Sequence, residues 1–212
     1  MRLGEYDFEN EGETESSTYD LASMKMHENY NPKTFENDIA VLTLNRNVVL
    51  SKSVQPACLP SSSTFDYTGT RGTVTGWGTI YFGGPSSNIL QEVTIPIWRN
   101  SDCATNYGKL NREIASTMMC AGNRDRGGQD ACQGDSGGPL NCPLNSNIPG
   151  LPQYELCGIV SWGARCAEKG TKMSHFRFLS CFLIHFFFQI ADFPGVYTRV
   201  NKYLDWIESN TL

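Results

Sequence analysis

A chain of 212 residues, 40% hydrophobic and 18% charged, has the composition of a soluble globular domain and not of a disordered segment. A net charge of −5 gives no electrostatic support to a nucleic-acid partner. Eight cysteines without paired CxxC spacing argue against a zinc site and for a disulfide framework, and hence for an oxidising, extracellular compartment. Met1 runs into Arg2-Leu3-Gly4-Glu5-Tyr6 with no apolar signal segment, so a secreted protein is expected whose beginning lies outside this chain.

Along the chain, acids come first at every other position: Glu5, Asp7, Glu9, Glu11, Glu13 and Glu15. This spacing fits a solvated loop or strand face. Between Asp38 and Leu50, Ile39-Ala40-Val41-Leu42-Thr43-Leu44 is a short β-type run. The polar stretch from Ser61 to Gly69 reads as a connector between two halves. Strand-like segments then recur between turns at Thr73–Thr75, Gln91–Ile97, Gly138–Leu140, Leu156–Trp162 and Val196–Arg199, a rhythm that predicts an all-β barrel or sandwich. Val200, Leu204 and Ile207 lie at i, i+4, i+7 and predict a terminal helix.

The strongest chemical signal is Gly134-Asp135-Ser136-Gly137-Gly138-Pro139. Glycines around a serine let the backbone turn tightly and bring amide N–H groups close to a reacting carbonyl oxygen. The turn sits inside the longer string Asp130 to Leu140, which closely resembles the trypsin/chymotrypsin family of serine endopeptidases. Four further stretches agree in order: Asn37-Asp38-Ile39-Ala40, Gly76-Trp77-Gly78, Ser161-Trp162-Gly163 and Pro194-Gly195-Val196-Tyr197. The resemblance covers nearly the whole chain except roughly residues 171–192. Arg2–Tyr6 and Val54–Pro60 look most like secreted proteases of extracellular activation cascades.

The resemblance implies two antiparallel β-barrels, the first incomplete (residues 1–62), the second spanning 63–199, and a helix at 200–212. It implies that Ser136 is the acyl nucleophile, with its own N–H and that of Gly134 forming the oxyanion hole. By the same resemblance Asp38 is expected to be the acid that orients the catalytic histidine. Asp130, six positions before the nucleophile, matches the floor of the specificity pocket, so protein substrates are expected to carry Arg or Lys before the cleaved bond. Gly163 and Gly195 match open pocket walls beside Trp162, and Ser161 the backbone acceptor next to the substrate. Asp135 matches the carboxylate that receives a new N-terminal ammonium on zymogen activation. Pro194 stands where sodium-regulated members carry Tyr, so no sodium activation is expected.

The chain departs from the family in two places. The family's histidine precedes its aspartate by roughly 45 residues, which falls ahead of Met1, so the chain as it stands is expected to be inactive. The rival reading is a non-catalytic protease homologue serving as a binding or regulatory module. Residues 171–192 interrupt the family pattern with the apolar run Phe176–Ile190. Arg177, His185 and its short length argue against a membrane span there, and the pyrimidine-rich codons it permits fit a retained intron.

Cysteine matches to the family imply Cys103–Cys120 and Cys132–Cys166, with Cys58 tethering an upstream propiece. Cys142 lacks its usual family partner, and the extra Cys157 on the next strand-like segment is a reasonable replacement; Cys181 is left over. No cofactor is expected beyond a possible structural calcium in the acidic loop, with Glu5 and Glu11 or Glu15 as oxygen ligands.

Overall fold

Some strands form where β-branched and aromatic residues cluster between glycine- and proline-marked turns, and others only through their pairing. The computed structural model describes residues 1–10, 12–79, 84–123, 134–144, 153–164 and 193–211. In chain order these form β1 (Arg2–Leu3), β2 (Ser17–Thr18), β3 (Leu21–Met26), β4 (Ala40–Leu44), β5 (Arg71–Gly76) and β6 (Gln91–Pro96). After them come α1 (Asn100–Gly108), β7 (Met118–Ala121), β8 (Pro139–Leu144), β9 (Gln153–Trp162), β10 (Gly195–Arg199) and α2 (Leu204–Thr211).

Six strands make one antiparallel sheet in the order β6-β5-β8-β9-β10-β7. It curls into a half-barrel, and the chain just past β6 touches β7: Ile97 bridges Ala121, and Trp98 N–H donates to Cys120 O at 2.8 Å. The concave side is filled by Tyr67, Val74, Ile95, Met119, Leu140 and Tyr197. A second cluster, Trp98, Cys103, Tyr107, Cys120 and Val196, lies under α1. Disulfides brace both: Cys103–Cys120 ties α1 to β7, and Cys142–Cys157 ties β8 to β9. Cys58 is a free, exposed thiol.

The N-terminal part is thinner. β1 pairs with β2 and β3 with β4 as separate two-stranded sheets. Every residue of β3 is exposed. The molecule is thus mostly β, with its principal core in the C-terminal sheet.

Several elements differ from sequence expectation, among them β1, β2 and β7, which no β-type pattern marks. β3 has no strict apolar/polar alternation, and only its pairing with β4 defines it. Helix α1 was not anticipated, although Cys103 and Tyr107, at i and i+4, supply its buried face and Asp102 sits favourably in its first turn. The terminal helix starts at Leu204, because Val200–Lys202 form a 3₁₀ turn. The Cys132–Cys166 pair, Cys181 and the 171–192 segment lie outside the described residues. No helix among the described residues is long and apolar enough to cross a membrane.

Candidate active site

Ser136 stands exposed on a turn that its glycines make possible. Gly134 (φ 98°) and Gly137 (φ 78°) occupy the left-handed region, where a side chain would be strained. The turn closes with Gly138 N–H on Asp135 O (2.8 Å) and is tied to β9 by Gly137 N–H on Val160 O (2.9 Å). Asp135 points back, away from the turn's crest, and its Oδ1 accepts the N–H of Gly78 at 2.9 Å. A Cβ at Gly76 would lie 2.0 Å from that Oδ1, and one at Gly78 would lie 2.5 Å from the carboxylate. The Gly76-Trp77-Gly78 string is therefore glycine-flanked because the Asp135 carboxylate fills the space, a link between two motifs that their spacing alone did not reveal.

Asp38 sits just before β4, in a loop bent by Phe35 (φ 60°) and Asn37 (φ 58°), both left-handed. Such a conformation costs a non-glycine residue energy and persists where surroundings hold it. Here Asn37 Nδ2 donates to Asn29 O (2.8 Å), and Tyr203 Oη donates to Asn37 Oδ1 (3.0 Å). The Asp38 carboxylate accepts Ser161 Oγ–H at 2.6 Å, and its backbone carbonyl accepts Thr198 Oγ1–H at 2.7 Å. The family resemblance implies only a backbone role for Ser161; its hydroxyl contact with Asp38, and the clamp from Thr198, join residues too distant in sequence for any local pattern to show. The Asp38 loop and the Ser136 turn are anchored on consecutive β9 residues, Ser161 and Val160.

The neighbouring walls converge on one aromatic ring. A Cβ at Gly163 would sit 3.7 Å from Gly195 Cα, so the two glycines face each other closely. Fully buried Tyr107 donates its hydroxyl to Pro194 O (2.6 Å) and accepts the N–H of Ala164 (3.2 Å), while its ring meets Trp162 and Phe193 edge-on. Phe35 stacks on Trp162 with centroids 5.9 Å apart. A cavity of about 360 Å³ opens beside Trp162, between Lys33, Thr34 and Glu36 on one side and Arg112 and Ile114 on the other. Asp130 lies outside the described residues.

His27, the one histidine among the described residues, packs tilted against Trp206 of α2 and meets Tyr203 edge-on. In the acidic loop, Glu5 is buried and paired with Arg2, while Glu15 is exposed. Among the described residues no group of three or more His, Cys, Asp or Glu side chains converges as a metal site. Glu11 lies outside them.

The chain is similar to known proteins over nearly its whole length. It is 39% identical to the proclotting enzyme of Tachypleus tridentatus over 210 residues, which are 98% of this chain and 48% of that protein. It is 36% identical to Trypsin-1 of Astacus astacus, covering 99% of this chain and 74% of that protein. It is 31% identical to the clotting factor G beta subunit of Tachypleus tridentatus, covering 100% of this chain and 60% of that protein. The chain thus spans about half the length of the first of these relatives. The family model described as Trypsin matches residues 1–179, and with it the chain belongs to the trypsin family of serine proteases.

Proposed function

We propose that the protein carrying this chain is a secreted serine endopeptidase that cleaves after Arg or Lys through an acyl-enzyme. In this reading residues 1–62 hold part of a first β-barrel and residues 63–199 a second. The observation that carries it is the anchoring of the Asp38 loop and the Ser136 turn on adjacent residues of one strand. Family membership, and relatives named for clotting, support a protease that acts on proteins in an activation cascade.

Ser136 Oγ attacks the substrate carbonyl carbon as its proton passes to a histidine, whose imidazole Asp38 orients and whose positive charge it stabilises. Ser161, by donating to Asp38, fixes the carboxylate in turn. The carbonyl oxygen becomes an oxyanion, for which the N–H groups of Gly134 and Ser136 are the donors; such a contact favours the transition state over the ground state. The histidine returns its proton to the leaving amine, and water releases the acyl group by the same steps in reverse order. Asp130 takes the substrate's basic side chain alongside the bare backbone of Gly163 and Gly195. In this reading Asp135 would exchange its bond to Gly78 N–H for an activating ammonium, and Cys58 would take a tethering disulfide. The chemistry needs no cofactor.

The 212-residue chain tested alone is expected to resist fluorophosphonate labelling, because its described histidine is engaged at Trp206. A longer form that brings a histidine to Asp38 should label, and Ser136→Ala should abolish the signal. Failure of that longer form to label favours the non-catalytic homologue. In the active form, Asp130→Ser should erase the preference for Arg and Lys among chromogenic substrates. Equal turnover of Phe and Arg substrates by the unaltered enzyme refutes the role of Asp130.

A further inference from the structure

The acidic loop between β1 and β2 already contains a cation. We propose that Arg2 is the built-in counter-ion of this loop and occupies the role that family resemblance assigns to calcium. The Glu5 side chain is only 3% exposed, a position where an uncompensated carboxylate is costly. Arg2 Nε lies 2.5 Å from Glu5 Oε2. The same guanidinium donates from Nε (3.1 Å) and Nη2 (3.0 Å) to Ser16 Oγ at the other end of the loop. The Nε–H is aimed at Ser16, so its contact with Glu5 is an ion pair and not an aligned hydrogen bond.

The loop's geometry suits this arrangement. Arg2 pairs with Thr18 and Leu3 with Ser17, so the side chain that reaches Glu5 starts at the neck of the loop. Gly4, at φ 75°, brings the two ends together: a Cβ there would lie 3.1 Å from Glu15 O. One guanidinium neutralises the buried acid and ties the loop's ends, the two services a bound divalent ion provides. The remaining described acids are committed elsewhere or face solvent. Asp7 Oδ1 accepts Glu9 N–H, Glu9 Oε1 accepts Asn88 Nδ2, and Glu13 and Glu15 are exposed. A divalent ion approaching Glu5 would meet the positive charge of Arg2 first.

The test is thermal unfolding and terbium luminescence on the full 212-residue chain. Tyr6 and Trp77, whose indole donates to Tyr6 O at 3.1 Å, are the sensitising rings beside the loop. The unaltered chain should melt at the same temperature in EDTA and in millimolar calcium, and show no terbium emission that Glu5→Gln abolishes. Arg2→Gln should lower the melting temperature by about 5 °C in EDTA, recover it in calcium, and acquire Glu5-dependent terbium emission. Arg2→Lys should remain indifferent to calcium. A calcium response of the unaltered chain overturns the proposal, as does an Arg2→Gln variant that melts unchanged and ignores calcium. If Arg2→Gln folds only in calcium, the proposal stands; if it folds in neither, the titration of the unaltered chain decides alone.

Discussion

β3 and β7 are both short, methionine-containing strands with opposite fates. In β3, Met24 is 60% and Met26 58% exposed; in β7, Met118 is 3% and Met119 0% exposed. Hydrophobicity does not separate them, but their neighbours do. β7 is an edge strand of the large sheet, yet α1 covers it through Cys103–Cys120 and the core cluster packs against it. Among the described residues β3 pairs only with β4, and every residue of it is exposed. The comparison teaches that what buries one methionine pair and not the other is the C-terminal sheet. The N-terminal segment is held to it through Asp38 on Ser161 and Thr198, Asn37 on Tyr203, and His27 and Glu28 on Trp206.

The sharpest way to break that comparison is a pair of methionine truncations. Met119→Ala should destabilise by about 3 kcal/mol, through lost transfer energy and the cavity left behind. Met24→Ser should change stability by less than about 0.5 kcal/mol and improve solubility, because it removes exposed apolar surface. Urea unfolding of both variants reads this out, and equal losses would mean that β3 is covered in solution. Removing Cys142–Cys157 by a double alanine substitution should cost about 3 kcal/mol or slightly less, from loop-closure entropy restored to the unfolded chain across a separation of 15. Hydrogen exchange should then rise in β8 and β9 and stay unchanged in β3 and β4.

The junction between the regions is weaker. Ser161→Ala leaves the Asp38 carboxylate without its side-chain donor and should cost about 1.5 kcal/mol. Faster amide exchange should appear at residues 35–44, and an effect confined to β9 would refute the linkage. The smallest expected effect is a pH slope at Glu28. Its carboxyl is held below the ordinary glutamate range, first by its own backbone amide and then by the Trp206 indole, which donates at 3.0 Å. A depressed acid stabilises the folded state above its unfolded pKa, and that stabilisation is lost as pH falls through the lowered folded value. Glu28→Gln should therefore flatten a shallow acid loss in melting temperature, and an unchanged pH profile would count against the α2 contact.

What the sequence determined by itself is the set of features that local chemistry dictates. The glycine-flanked Ser136 turn is one, since only glycine accepts φ 98° and 78° without strain. Five of the six strands of the C-terminal sheet are others, all but β7, because their residue runs are bounded by turn residues, and so is a helix near the C-terminus, carried by apolar spacing. Only the tertiary structure decided which of these parts meet. It paired featureless Leu21–Met26 with β4, set α1 over β7, and packed the Asp135 carboxylate into the space left by Gly76 and Gly78. It turned the Ser161 hydroxyl onto Asp38, 123 residues away, and gave buried Glu5 to Arg2. Periodicity and spacing describe one segment at a time. A hydrogen bond or ion pair between segments depends on where the whole chain brings each side chain out of water, and that is settled only when the elements pack.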